Sequence, residues 1–128
     1  MENKNIQNQR EKESADIFAV AEKQDEATAN SGVFTLHLAK PLVHEEQTYT
    51  DLTLDFDSLS GSDSLAIERE LQMLGHTVIV ANFDSEYLVR VCAKACTENL
   101  GVDALGKISL RDFNRLRNTV RGFLSRKE

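Results

Sequence analysis

Two alternating stretches constrain this chain more than anything else in it. From Val33 to Leu38, Phe34, Leu36 and Leu38 point one way, and Val33, Thr35 and His37 point the other. From Thr48 to Phe56 the alternation returns. Thr50, Leu52, Leu54 and Phe56 share one side; Tyr49, Asp51, Thr53 and Asp55 share the other. The polar link His44-Glu45-Glu46-Gln47 joins them. Two such runs with a short polar link predict an antiparallel β-hairpin with its Leu/Phe face buried. Pro41 cannot donate to a ladder, so the first strand is expected to lie at an edge or to end near it. A two-stranded ribbon is not stable alone, so helices must cover the apolar face.

The rest of the chain supplies them. Ser58 to Asp63 offers several N-caps, and Ser64 to Leu74 follows with Ile67, Leu71 and Leu74 on one face, stopped by Gly75. Thr77 to Ala81 is a β-branched run, readable as a third strand or a buried connector. Asp84 is the expected cap of a helix from Ser85 to Leu100. Leu88, Val91, Cys92 and Ala95 form one apolar face of it, and Val89, Ala93, Cys96 and Leu100 form a second. So wide an arc marks a central helix touched on two sides, with the second face inside the subunit or against another chain. Ser109 and Asp112 have capping-box spacing before a last helix, whose apolar face is Phe113, Leu116, Val120, Phe123 and Leu124. Arg111, Arg115, Arg117 and Arg121 lie on its back and flanks. The expected fold is therefore α+β: a hairpin packed against about three C-terminal helices, spanning residues 33–128.

Residues 1–32 read as an N-terminal arm, rich in Gln, Asn, Glu and Lys, mobile or partly helical until contact orders it. Its one apolar cluster is Ile17, Phe18, Val20 and Ala21. Charge is uneven along the chain. Residues 33–105 carry 4 basic and 12 acidic residues, and residues 106–128 carry 7 and 2. That asymmetry suits head-to-tail self-association or an acidic partner, or else a solvated basic face. The net charge of −6 argues against general nucleic-acid binding. The arginines of the last helix also spread over a broad face instead of clustering at a helix start. No leader pattern is visible, and no apolar run approaches the ~20 residues of a membrane span, so a soluble cytoplasmic protein is expected.

Candidate chemistry is sparse. The acids from Asp55 to Asp63 miss calcium-loop spacing: the fifth position is Leu59 and the twelfth is Ala66. His37, His44 and His76 stand beside no motif that would make them bases or ligands. Cys92 and Cys96, four apart on one helix, suit buried thiols better than a disulfide or a zinc clip. No nucleophile elbow or phosphate-cradling glycine loop is present. The expectation is a protein without catalytic residues, metal or cofactor.

The order of these pieces resembles the tail assembly chaperones of long-tailed phages and prophages. The matching residues are Lys40-Pro41-Leu42, then Tyr49, Thr50, Leu52, Leu54 and Phe56, then Leu59, Gly61 and Asp63. They continue with Ile67-Glu68, Glu70, Asp84, Glu86-Tyr87-Leu88, Ala93-Lys94-Ala95, Leu110, Asp112-Phe113, Val120 and Phe123-Leu124. The match covers about Val33 to Leu124 and is one of spacing, with no catalytic signature. It lacks the glycine common in the family's hairpin turn. The resemblance implies a non-catalytic factor that binds the tape-measure protein, keeps it soluble while tube subunits polymerise around it, and is absent from the finished particle. The tail tube protein and a second copy are further partners it implies. Expected contact residues are Val89, Ala93, Cys96 and Leu100, helped by Phe18. A structural tail completion or connector protein, retained in the virion, is the other reading, followed by a DNA-binding regulator.

Overall fold

The computed structural model describes residues 32–126. The arm expected over residues 1–32 therefore lies, but for Gly32, outside the described residues. Two antiparallel strands come first, β1 (Val33–His44) and β2 (Gln47–Asp55). Four helices follow: α1 (Gly61–Met73), α2 (Ser85–Ala95), the single-turn α3 (Val102–Leu105) and α4 (Leu110–Leu124). Short 3₁₀ turns at Phe56–Ser58 and Ala81–Phe83 join them. This is the α+β arrangement that the alternation requires.

Phe34, Leu36, Leu52, Leu54 and Phe56 fill the buried face of the hairpin. Glu45 and Glu46 turn the chain with φ of 50° and 67°. Positive φ at both central residues is what a tight two-residue hairpin demands, and neither residue adopts it cheaply. Gly32 enters β1 at φ 65° and its carbonyl accepts from Phe56 N. A side chain there would collide with the Asp57 carboxylate, so the position is confined to glycine.

The ladder runs from Val33↔Asp55 to His37↔Asp51, breaks, and resumes at Leu42↔Tyr49. Residues 38–41 of β1 thus stand opposite Thr50 alone. Pro41 sits in this bulge, where its missing N–H removes no ladder bond. The N–H groups of Ala39 and Lys40 donate instead to the Asp112 carboxylate, at 3.0 and 3.2 Å. Asp112 is fully buried. The spacing with Ser109 suggests a reciprocal capping box, but only half of it forms. Ser109 Oγ accepts from Asp112 N, while the Asp112 side chain crosses to β1. Burial pushes this carboxyl up; the N–H donors of Ala39 and Lys40, with Ser109 and Arg115, outweigh that and hold it below the usual range.

The outer edge of β2 is closed as well. Thr97 N donates to Thr53 O at 2.9 Å, Thr53 N donates to Glu98 Oε1 at 2.7 Å, and Cys96 bridges Leu54. On β1 the Arg115 guanidinium donates to His37 O. Thr77 to Ala81 pairs with neither edge and is a connector. The same contacts end α2 at Ala95, short of the Leu100 its periodicity suggests. Cys96 leaves the helix to meet β2, and Asn99, at φ 58°, redirects the chain toward α3.

α2 is the central helix. It packs against α1, α3, α4 and β2, and Leu88 and Cys92 are wholly excluded from solvent. Leu116 and Val120 bring α4 into the same core, with Phe113, Phe123 and Leu124 partly buried around them. The Phe123 ring stacks on Phe56 at 4.7 Å, fastening the end of α4 to the end of the hairpin.

Two outcomes follow. Replacing Glu45-Glu46 with Asn-Gly should stabilise the fold by about 1 kcal/mol, raising Tm by about 4–8 °C in a calorimetric scan. Asp112→Asn should cost about 2 kcal/mol in urea unfolding, since the bulge N–H groups lose a charged acceptor. A carboxylate depressed by folding stabilises fully above the unfolded pKa of about 3.9 and loses that contribution as pH falls through its folded value. The variant's unfolding should therefore depend less on pH below about 4 than that of the parent protein.

Candidate functional site

The contact face expected on the central helix is not a surface. Val89, Cys96 and Leu100 are buried within the chain itself, and Ala93 is half-buried against the same core. The reason is geometric. α2 is enclosed by α1 on one side and α4 on another, while Cys96 and Leu100 lie beyond its end, folded back toward β2 and α3. The wide apolar arc belongs to a helix that is central to one subunit. Phe18, the fifth residue of that expected surface, lies outside the described residues.

Large exposed apolar side chains gather elsewhere. Met73, Leu74, Ile79, Val80 and Phe83 all stand in the connector from the end of α1 to the start of α2. Ile79 is 88% exposed and Phe83 70%. Leu65 on α1, Val43 near the hairpin turn and Leu110 at the start of α4 are the other exposed ones among the described residues.

The connector is held at both ends. α1 terminates in paired backbone bonds, His76 N to Leu71 O at 2.8 Å and Gly75 N to Gln72 O at 3.0 Å, with Gly75 at φ 83°. Asp84 then caps α2, accepting from Tyr87 N at 3.0 Å through Oδ1. Its other oxygen, Oδ2, meets His76 Nε2 at 2.6 Å and so ties the two ends of the loop together. Partial burial pushes the Asp84 carboxyl up, but the Tyr87 N–H and His76 more than compensate and hold it below its ordinary value. Within the loop, Phe83 N donates to Val80 O at 3.1 Å, closing a 3₁₀ turn. Arg121 reaches over from α4. Its Nε donates to Asn82 O at 3.0 Å, and its guanidinium lies 5.0 Å from the centre of the Phe83 ring.

The arginines of α4 are therefore not a free basic face. Arg115 joins β1 and Asp112. Arg117 donates to Ser85 Oγ at 2.8 Å and to Asn114, and stacks on Phe113. Arg111 stays exposed. The histidines sit in local pairs: His37 with Asp51, His44 beside Lys107, and His76 with Asp84. Of the acids of 55–63, Asp63 serves the entry to α1, accepting from Ser60 N at 2.8 Å and facing Lys94 at 3.6 Å. Among the described residues no cluster of three or more His, Cys, Asp or Glu is placed to hold a metal ion. Cys92 and Cys96 are free and buried, and burial pushes both thiols up, away from the reactive thiolate. No described helix is long and apolar enough to cross a membrane.

No family model, curated protein or solved structure matches this chain.

The exposed connector had a signal in the sequence. Thr77 to Ala81 is a β-branched run with no partner strand, and Phe83 follows directly. A five-residue run reads equally as a third strand or a buried connector, so its exposure is not visible in the pattern. Asp84→Ala should remove both the α2 cap and the tie to His76. We expect a loss of about 1 kcal/mol, with faster amide hydrogen exchange confined to residues 77–83 when the variant is followed by mass spectrometry.

Proposed function

We propose that this protein is a non-catalytic assembly chaperone of the phage tail. In this reading it binds the tape-measure protein in the host bacterial cytoplasm, keeps it soluble while the tube forms, and leaves before the particle is complete. The observation that carries the reading is the exposed apolar connector, held by the Gly75 turn and the His76–Asp84 tie. A rigid apolar surface on a small domain suits a long amphipathic client, which offers the same weak contact many times over. The spacing from Lys40 through Leu124 points to the same family. The contact residues are then Met73, Leu74, Ile79, Val80 and Phe83, in place of Val89, Cys96 and Leu100, which the fold uses for its own core. The tail tube protein and a second copy of the chain are the further partners this role allows.

The reading is tested by co-expressing the tape-measure protein with the parent chain and with an Ile79→Asp, Phe83→Asp double variant. Both positions are exposed, so the variant should keep the parent's circular dichroism and thermal midpoint. It should lose at least about tenfold in affinity and leave the tape-measure protein in the pellet. Undiminished capture by the folded variant would refute this assignment of the surface. Mass spectrometry of purified particles separates chaperone from completion protein: the chain should be absent from them.

A further inference from the structure

The apolar connector has a charged rim, and we infer from it that the partner segment is an amphipathic helix whose apolar stripe is flanked by carboxylates. This rests on the connector being a binding surface, and names what it selects. Val80 and Phe83 stand at the two ends of the 3₁₀ turn, joined by the Phe83 N–H to Val80 O bond, and both are exposed, as is Ile79, which precedes Val80. Arg121 lies directly over Phe83 and Arg117 one turn before it on α4, bonded to Ser85 at the adjoining helix start.

Neither arginine is paired with a carboxylate among the described residues. Arg121 is held by the carbonyl of Asn82, the amide of Asn118 and the Phe83 ring. Arg117 is held by Ser85, Asn114 and the Phe113 ring. The acids nearest in sequence to the patch are engaged elsewhere: Asp84 with Tyr87 N and His76, Glu86 with Arg90. Two guanidinium groups are thus fixed at the edge of an apolar patch by neutral partners, with full positive charge. Neutral hydrogen bonds orient an arginine without satisfying its charge, and a pre-oriented guanidinium matches a carboxylate with little further ordering. Arginine is also among the residue types enriched at the energetic centres of protein interfaces. A lysine-flanked helix would meet like charge here, and a purely apolar one would leave both arginines desolvated and unpaired.

The test uses the full chain and two synthetic helical peptides with the same apolar stripe at i, i+3, i+4 and i+7. One is flanked by Glu and the other by Lys, and binding is read by fluorescence anisotropy. The Glu peptide should bind at least about tenfold tighter at about 50 mM salt, and the margin should shrink toward about 500 mM as screening shortens the charge interaction. Arg117→Gln with Arg121→Gln should abolish the preference, while Arg121→Lys alone should keep most of it. Equal binding of the two peptides, or a preference that survives loss of both arginines, overturns the inference. So does a dimer in sedimentation velocity that Phe83→Asp dissolves, because a second copy would then be the occupant. If the tape-measure protein fails to bind but the Glu preference holds, only the phage role falls. If the tape-measure protein binds through Phe83 with no charge preference, only the present inference falls.

Discussion

A two-stranded sheet has more unsatisfied surface for its size than any other β structure. It has two open edges and, here, one apolar face. Most of the fold answers that condition. α2 covers the face, Cys96 to Glu98 close the edge of β2, and Asp112 with Arg115 close β1 where Pro41 forces a bulge. Two carboxylates, Glu98 and Asp112, accept the strand N–H groups that a third and fourth strand would otherwise have taken. The edges end in charge–dipole contacts that another chain cannot extend.

That closure determines where a surface for partners can lie. The core absorbs both faces of the central helix, and most of the large apolar residues left exposed are in the connector between α1 and α2. The connector joins neither strand of the sheet and stays outside. It keeps a definite shape because its ends are bonded to each other and its 3₁₀ turn is bonded to α4. An exposed Phe beneath an Arg is tolerable in a folded monomer, since the ring is partly shielded and the guanidinium remains hydrated. The arginines of the last helix act here as positioned groups: one joins the hairpin and two frame the connector.

Much of this is legible in the sequence. Period-two alternation gave the two strands, and Asp84 and Ser109 were readable as caps because local hydrogen bonding is a short-range property. Leu116, Val120 and Phe123 were readable as core because they recur at helical spacing. The position of the exposed apolar connector was not legible. Val89 and Leu100 look like a second, available face on a helical wheel, and a wheel cannot show that α1 and α4 enclose the helix. Nor does it show that Cys96 has already left the helix.

Residue type and order were therefore enough for the elements, their sequence and the buried side of the hairpin, since periodicity and capping depend only on neighbours a few positions away. Long-range pairing settled the rest. The partner of Asp112 lies 73 residues away at Ala39, and that of Glu98 lies 45 residues away at Thr53. Whether Thr77 to Ala81 pairs as a strand is likewise a matter of distant partners, and it has none in the sheet. Separations of that length leave no trace in local pattern, so the exposed connector and its arginine rim emerge only once the chain has folded back on itself.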